Sequence, residues 1–209
     1  MFIAQYKAIF FDFDGVIKDS VEVKSDAFYE LFLPFSKELA DKVKKHHEDN
    51  GGMSRYEKLF IYLGWADQST EKKTIEEYAS EFSQKVTQRV IDSPWVCGVL
   101  DYLKNNHDQI FYLVSATPQK EIEMILKALH IDKHFDVIVG SPTAKDVAVS
   151  YILDQYRLGA AVCVMIGDAI SDYNAAKKNN ISFVLRRTPL NKQLQIQLQC
   201  EMIENFCHG

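Results

Sequence analysis

The sequence predicts a doubly wound α/β fold, in which helices cover both faces of a parallel β-sheet. Several short apolar runs are continuous rather than alternating, as in strands that are buried on both faces. Helical patterns separate the later runs, and strands that alternate with helices favour a parallel sheet with right-handed crossovers. One long interval without a buried strand indicates a helical segment inserted into this fold.

The strands are predicted at the apolar runs, which are residues 8–11, 110–114, 135–139, 161–166 and 181–185. Helices are predicted between them at residues 96–105, 119–129, 146–156 and 171–178. A closing helix is expected after the last strand because apolar residues recur every four positions, at Leu190, Leu194, Leu198 and Met202. Ligands of such sheets bind at the carboxyl ends of the strands, so the loops after the strands are the candidate site.

A helical domain is predicted between the first and second strands, at residues 20–91. Apolar residues in its second half recur at spacings of three and four, which is typical of an amphipathic helix. They are Ile75, Tyr78, Ala79, Phe82, Val86 and Val90. Asp92-Ser93-Pro94 then interrupts the helical pattern. We therefore expect an α/β core of residues 1–19 and 92–209 that carries a helical insertion at residues 20–91.

The composition, with 47% hydrophobic and 25% charged residues, is that of a globular protein with a buried core. The net charge of -5 and the lack of a basic stripe argue against a nucleic-acid partner. No apolar run approaches the roughly 18 residues that span a bilayer, and no signal peptide is evident, so we expect a cytoplasmic protein without a membrane partner. Its oligomeric state is left open. The cysteines lack metal-ligand spacing and are expected to be reduced; they are Cys97, Cys163, Cys200 and Cys207.

Two pairs of acidic residues follow predicted strands. Asp12 and Asp14 are two residues apart, so their side chains leave the same side of an extended chain. Asp168 and Asp172 are four residues apart, which places them on one face of a helix. Such carboxylates repel one another unless a cation relieves them, and oxygen ligands select Mg²⁺. The alternatives are an ordinary turn for the first pair and a favourable helix N-terminus for the second.

Two other junctions between a strand and a helix hold polar groups. Lys145 follows Ser141-Pro142, which we interpret as an N-cap with proline at N1, so the lysine lies in a first turn where the dipole disfavours cations by about 0.3–1 kcal/mol. An anionic nucleophile and substrate would explain it, and a solvated lysine is the alternative. Ser115 and Ala116 precede a helix, where a hydroxyl and backbone amides suit a phosphoryl oxygen, although helix capping is equally consistent.

Together these positions resemble the motifs of the haloacid dehalogenase superfamily, in the same order. The matching residues are Asp12-Phe13-Asp14-Gly15-Val16-Ile17 with Asp19-Ser20, then Ser115, then Lys145, and finally Gly167-Asp168 with Asp172. The resemblance implies a Rossmann-like core with a helical type 1 cap, similar to the phosphoglycolate phosphatase and β-phosphoglucomutase branch. It also implies a magnesium-dependent phosphatase that hydrolyses a small-molecule phosphate monoester through an aspartyl-phosphate. Asn179-Asn180 stand where the family commonly has a glycine, which should alter only a turn.

The resemblance further implies roles for these residues. Asp12 would be the nucleophile and a metal ligand, and Asp14 would protonate the leaving alcohol, activate water and offer its carbonyl to the metal. Asp168 would complete the metal ligands, and Asp172 would be either a ligand or a support. Ser115 and Ala116 would bind a phosphoryl oxygen, and Lys145 would offset the negative charge of Asp12 and the phosphate. Asp14 disfavours the dehalogenase branch, which is similar in fold but lacks that aspartate.

The interval Asn50-Gly51-Gly52 separates two helical patterns and looks like the family's substrate-specificity loop. Ser54 can cap the next helix, and Arg55 would then stand in its first turn. Facing inward, Arg55 would bind a carboxylate or second phosphate of the substrate; the alternative is a solvated surface residue. Two other functions stay open, a sugar-phosphate mutase of the same fold and a ligand-binding protein without catalysis.

Overall fold

A six-stranded parallel sheet forms the centre of the computed structural model, which describes residues 2–105 and 108–207. The strands are β1 (Ala8–Phe11), β2 (Ile110–Pro118), β3 (Val137–Ser141), β4 (Cys163–Gly167), β5 (Ser182–Arg186) and β6 (Glu201–Ile203). Their order is β3-β2-β1-β4-β5-β6, so β1 pairs with β2 on one side and with β4 on the other. The chain thus winds outward in both directions from β1, which confirms the predicted doubly wound α/β fold.

Four helices occupy the interval in which no strand was predicted. They are α1 (Val21–Phe32), α2 (Lys37–Asp49), α3 (Arg55–Trp65) and α4 (Lys72–Asp92). Their shared core includes Phe28 and Phe82, whose ring centroids are 4.1 Å apart. In α4 the predicted apolar stripe faces this core, with Ala79, Phe82, Val86 and Val90 buried. The helical insertion (residues 20–91) is therefore stabilised by burial of apolar faces.

Five helices connect or follow the later strands within the described part of the chain. They are α5 (Val99–Asn105), α6 (Gln119–Ala128), α7 (Lys145–Gln155), α8 (Ile170–Lys178) and α9 (Lys192–Gln197). Asn180 has a φ of 53°, the left-handed conformation that asparagine tolerates. The turn therefore forms without the glycine that is common in the family that the sequence resembles. No helix within residues 2–105 or 108–207 has the length and apolar composition required to cross a membrane.

The predicted closing helix is too long. Helix α9 ends at Gln197, and Met202 lies in β6, a strand that the periodicity did not predict. Helix α9 buries no residue, and Ile196 is 85% exposed, so no apolar face extends the helix toward Met202. A three-residue strand is too short to show a period of two, and β6 depends on its pairing with β5.

The two connections to the helical insertion run side by side. Lys18 and Trp95 form an antiparallel bridge, and the amide of Asp19 donates a 2.9 Å hydrogen bond to the carbonyl of Pro94. The Lys18 ammonium also donates to the carbonyl of Ile91 at 2.9 Å. This pairing agrees with boundaries near residues 19 and 92, and the division into two domains stays a prediction.

Candidate active site

Three carboxylates converge where the strand order reverses. Asp12 directly follows β1, Asp168 directly follows β4, and Asp172 lies in the first turn of α8. One oxygen atom from each side chain lies within 4.8 Å of the others. Asp12 is 5% exposed and Asp172 is fully buried. The crevice at the carboxyl ends of two diverging strands is the usual ligand site of a doubly wound sheet.

Two glycines allow these acids to approach one another. Gly15 has a φ of +75°, and a Cβ atom there would lie 2.1 Å from Oδ2 of Asp168. A Cβ atom at Gly167 would lie 2.2 Å from the Cβ of Asp172. A side chain at either position would displace one of these aspartates, and the positive φ of Gly15 also favours glycine.

Lys145 forms ion pairs with two of these acids. Its Nζ lies 2.7 Å from Oδ2 of Asp12 and 2.6 Å from Oδ1 of Asp172. The lysine opens α7, as expected, but the predicted N-cap is wrong, because Ala144 occupies that position. Ser141 instead ends β3, where it pairs with Pro118 of β2. Lys145 therefore stands at the helix N-terminus because it is bound by two carboxylates that outweigh the helix dipole.

The cluster carries more negative than positive charge. Burial, and then the charges of Asp12 and Asp172, raise the pKa of Asp168 well above its usual range. Burial and the neighbouring charge of Asp172 raise the pKa of Asp12 as well, although Lys145 opposes the shift. Three carboxylates with one ammonium leave an excess that a divalent cation would neutralise, and the donors are all hard oxygens. These residues fit Mg²⁺.

The carboxylate of Asp14 lies apart from that cluster and is held by donors. The hydroxyl of Ser20 donates to its Oδ1 at 2.6 Å, and Lys24 forms an ion pair with its Oδ2. Thr117 also donates to Oδ2, at 3.3 Å. Burial alone would raise the pKa of Asp14, but Lys24, together with the hydrogen bond from Ser20, outweighs burial and lowers the pKa. Asp14 is therefore ionised at neutral pH, and its carboxylate is not part of the cluster of Asp12, Asp168 and Asp172 that could hold a metal ion.

Ser115 and Ala116 lie within the last part of β2, which continues to Pro118, rather than after the strand as expected. Ser115 is 1% exposed, and its hydroxyl accepts a 3.1 Å hydrogen bond from the amide of Thr117. Ala116 and Thr117 line the cavity beside the acids, whereas Ser115 is not among the residues that line it. The contact of Ser115 with a phosphoryl oxygen stays a prediction.

A cavity of about 490 Å³ lies between the sheet edge and the helical insertion. Its wall includes Asp12, Asp14 and Asp168 from the core, and His47 and Lys58 from the insertion. The hairpin between α2 and α3 closes one side. Its Gly51 carbonyl accepts a 3.5 Å hydrogen bond from Ser171, and a Cβ atom at Gly52 would collide with that serine hydroxyl at 1.8 Å.

Arg55 lies on the cavity wall and is only 6% exposed, so the solvated alternative is wrong. Ser54 caps its helix in a capping box with Glu57, as expected for the serine. The Arg55 guanidinium forms an ion pair with Glu121 of α6 and donates to Ser83 of α4 at 2.5 Å. Because Glu121 already balances its charge, the binding of a substrate anion by Arg55 stays a prediction.

Several polar residues of the site had no place in the sequence prediction. Lys24 stands four residues after Ser20, and this helical spacing was a usable signal. Lys58 lies on the same stripe as the apolar residues Leu59 and Tyr62, which marks it as an unusual buried cation. Asn191 donates to the carbonyl of Asp168 at 2.8 Å through a loop that no local pattern predicts.

The chain is similar to known proteins along most of its length. A family model described as haloacid dehalogenase-like hydrolase matches residues 9–185. Phosphoglycolate phosphatase from Colwellia psychrerythraea is 27% identical over 193 residues, which cover 88% of this chain and 85% of that protein. The phosphorylated carbohydrates phosphatase of Thermotoga maritima is 24% identical over 181 residues, which cover 84% of this chain and 82% of that protein.

Solved structures show the same fold. CbbY from Rhodobacter sphaeroides, in complex with phosphate, has a TM-score of 0.75 to this chain at 15% sequence identity. The alignment covers 97% of this chain and 96% of CbbY. The family model spans the acidic cluster, Lys145 and the whole helical insertion. The chain therefore belongs to the haloacid dehalogenase-like hydrolases.

Proposed function

We propose that this hydrolase is a magnesium-dependent phosphatase that cleaves small-molecule phosphate monoesters through an aspartyl-phosphate at Asp12. The observation on which the proposal depends is the convergence of Asp12, Asp168 and Asp172 beside the cavity, where Lys145 pairs with the first and the last of them. This arrangement supplies a nucleophile, a cation site and a counter-charge for phosphate within one small volume. The phosphatases among its relatives support the same class of reaction.

Asp12, Asp168 and the main-chain carbonyl of Asp14 would hold Mg²⁺. When bound, Mg²⁺ supplies positive charge that stabilises the phosphoryl oxygens during transfer. Asp172 has one oxygen engaged by Lys145 and the other by the amide of Ala169 at 3.1 Å. This commitment supports the role of Asp172 in orienting Lys145 rather than in direct ligation.

Asp12 is oriented for attack by two donors. Its Oδ1 accepts a 2.7 Å hydrogen bond from the amide of Phe13, and its Oδ2 binds Lys145. In the first step a carboxylate oxygen of Asp12 bonds to phosphorus while the bond from phosphorus to the alcohol oxygen breaks. Lys145 reduces the repulsion between this carboxylate and the phosphate dianion.

Asp14 handles the proton in both steps. A phosphate dianion bound beside Asp14 raises the pKa of its carboxyl, because like charges disfavour ionisation, so the carboxylate takes up a proton from solvent as the ester binds. The carboxyl then gives this proton to the departing alkoxide. In the second step the Asp14 carboxylate takes a proton from water as the water oxygen attacks phosphorus. The bond between Asp12 and phosphorus breaks and orthophosphate leaves. Asp14 then returns its proton to solvent, so both aspartates are again carboxylates.

A substrate screen tests the proposal. Phosphoglycolate, sugar phosphates, nucleotides and simple alkyl phosphates are incubated with the protein in Mg²⁺ or in chelator, and orthophosphate is measured. We expect release only in Mg²⁺ and none from the Asp12→Asn variant, because an amide is a poor nucleophile and a poor metal ligand. Release that continues in chelator would refute the mechanism. An isomerised sugar phosphate without orthophosphate would indicate a mutase instead.

A further inference from the structure

One lysine on the cavity wall has no carboxylate partner. Lys58 of α3 is 2% exposed, and its Nζ lies 2.9 Å from Nδ1 of His47 and 3.5 Å from the carbonyl of the same residue. Within the described ranges, Lys58 forms no ion pair at 4.0 Å or less. A buried ammonium is normally paired, so this arrangement calls for an explanation.

The other buried cations of the site are already balanced by acids. Lys24 pairs with Asp14, and Arg55 pairs with Glu121. Lys145 pairs with both Asp12 and Asp172. Of the buried ammonium and guanidinium groups that the structure places around the cavity, Lys58 is the one with no acidic side chain within 4.0 Å.

The surroundings of Lys58 disfavour its charged form. Burial, and then the positive charge of Lys24, lower the pKa of Lys58 to about 7. Burial and the charge of Lys58 also hold the pKa of His47 well below its ordinary value. The imidazole is therefore neutral at pH 7 and accepts a hydrogen bond from the lysine at Nδ1. His47 orients the amine without neutralising it, and an anion that entered the cavity would favour the ammonium.

We propose that Lys58, oriented by His47, binds a second anionic group, either a carboxylate or a phosphate, on the ester that this enzyme hydrolyses. The inference rests on the proposed phosphatase function, because Asp12 must receive the phosphate that is transferred. The cavity of about 490 Å³ is of a size that suits a small ligand, and both Asp12 and Lys58 line it. The substrate class is therefore a phosphate monoester with a second negative group at its other end.

Three two-carbon esters test this assignment, because they differ mainly at one end. Phosphoglycolate ends in a carboxylate, ethylene glycol bisphosphate in a phosphate, and hydroxyethyl phosphate in a neutral hydroxyl. We expect higher kcat/KM for one or both doubly anionic esters than for the neutral ester. Lys58→Met should reduce that preference by roughly 10- to 100-fold, the value of a buried hydrogen bond to a charged group. Lys58→Arg should retain most of it.

The matched control is Lys45→Met, at the mouth of the same cavity. The Lys45 side chain is 77% exposed and is paired with Asp49 at 3.1 Å, so the preference should not change in this variant. An unchanged preference in Lys58→Met, or an equal decrease in both lysine variants, would overturn the assignment. The melting temperature of Lys58→Met gives a further check. A buried cation that serves only binding does not stabilise the fold, so we expect no decrease, and a large decrease with an intact preference would show a structural role.

Binding measurements separate this inference from the proposed function. Calorimetry compares phosphonoacetate, which has two anionic groups, with methylphosphonate, which has one. The inference predicts that wild type prefers phosphonoacetate and that Lys58→Met loses roughly the same 10- to 100-fold. A wild-type binding preference without turnover of any ester would refute the phosphatase mechanism but support the anion site. Turnover without any such preference would refute the anion site alone.

Discussion

The guanidinium of Arg55 and the carboxylate of Glu121 form a bidentate ion pair between the helical insertion and the core. Nη2 lies 2.6 Å from Oε1, and Nη1 lies 2.8 Å from Oε2. The Arg55 side chain is 5% exposed, and that of Glu121 is 7% exposed. Because α3 contributes the arginine and α6 the glutamate, the pair joins the insertion to the sheet region directly beside the cavity.

Replacement of Arg55 by alanine should destabilise the fold. Arg55→Ala leaves the Glu121 carboxylate buried without its partner, and we expect a decrease in the free energy of unfolding of about 3–5 kcal/mol. Urea unfolding measures it. Arg89→Ala is the matched control, since Arg89 makes a similar two-point pair with Glu30, but its side chain is 48% exposed. That control should cost only about 0–1 kcal/mol. Equal losses in the two variants would show that burial does not govern the pair.

The stabilisation from this pair should depend on pH. Burial alone would raise the pKa of Glu121, but Arg55 outweighs burial and lowers it below the ordinary 4.5. A carboxyl whose pKa is lowered by folding stabilises the fold above its unfolded pKa, and this contribution is lost as the pH falls through the folded value. The unfolding free energies of wild type and Glu121→Gln should therefore differ most near neutral pH and converge in acid. A difference that stays constant from neutral pH down to about pH 3 would contradict this account.

Asp168→Asn should have opposite effects on stability and activity. In chelator the variant should be more stable than wild type, because it removes one of three clustered carboxylates that repel one another. Wild type should gain about 2.7 kcal/mol when Mg²⁺ reaches 100 times its dissociation constant, whereas the variant should gain much less and lose activity. Thermal unfolding with and without Mg²⁺ measures the stability in chelator and the gain in stability from Mg²⁺. Asp26→Asn, which alters a surface pair with Lys44, should keep the wild-type response to Mg²⁺.

Asp14→Asn should slow chemistry more than it weakens binding. We expect kcat to fall by about 10²–10⁴-fold, because the variant cannot transfer a proton. The decrease in kcat/KM should be larger for an alkyl phosphate than for p-nitrophenyl phosphate, since nitrophenolate leaves without needing a proton. Steady-state kinetics on the two esters measures this contrast. An effect confined to KM, with kcat unchanged, would remove Asp14 from proton transfer.

Much of the site could be predicted because its residues follow strands. Buried parallel strands leave continuous apolar runs in the sequence, and the acids directly after β1 and β4 must then meet at one edge of the sheet. Lys145 could be assigned to a first helical turn even though the expected serine cap was wrong. The positions of these residues follow from local patterns together with the topology of a doubly wound fold, whereas their roles are what the family resemblance implies.

The remaining contacts join residues far apart in sequence. Glu121 lies 66 positions after Arg55, and nothing near either residue indicates that they pair. The hydrogen bond from Lys24 to Thr117 likewise joins α1 to the last part of β2, at a separation of 93 residues. Strand β6 was missed for a related reason, because three residues cannot show a period and its stability depends on β5. Tertiary packing, rather than local preference, determines each of these features.

The phosphorylated enzyme is the most direct test of the catalytic mechanism. Asp14→Asn is mixed with p-nitrophenyl phosphate in Mg²⁺, because this ester can phosphorylate the enzyme without a proton donor while the variant hydrolyses the intermediate slowly. After acid quenching, intact-mass and peptide analysis should find one phosphoryl group, on the carboxylate of Asp12, and the Asp12→Asn variant should acquire none. A phosphoryl group on another residue, or wild-type turnover by Asp12→Asn, would contradict the proposed role of Asp12.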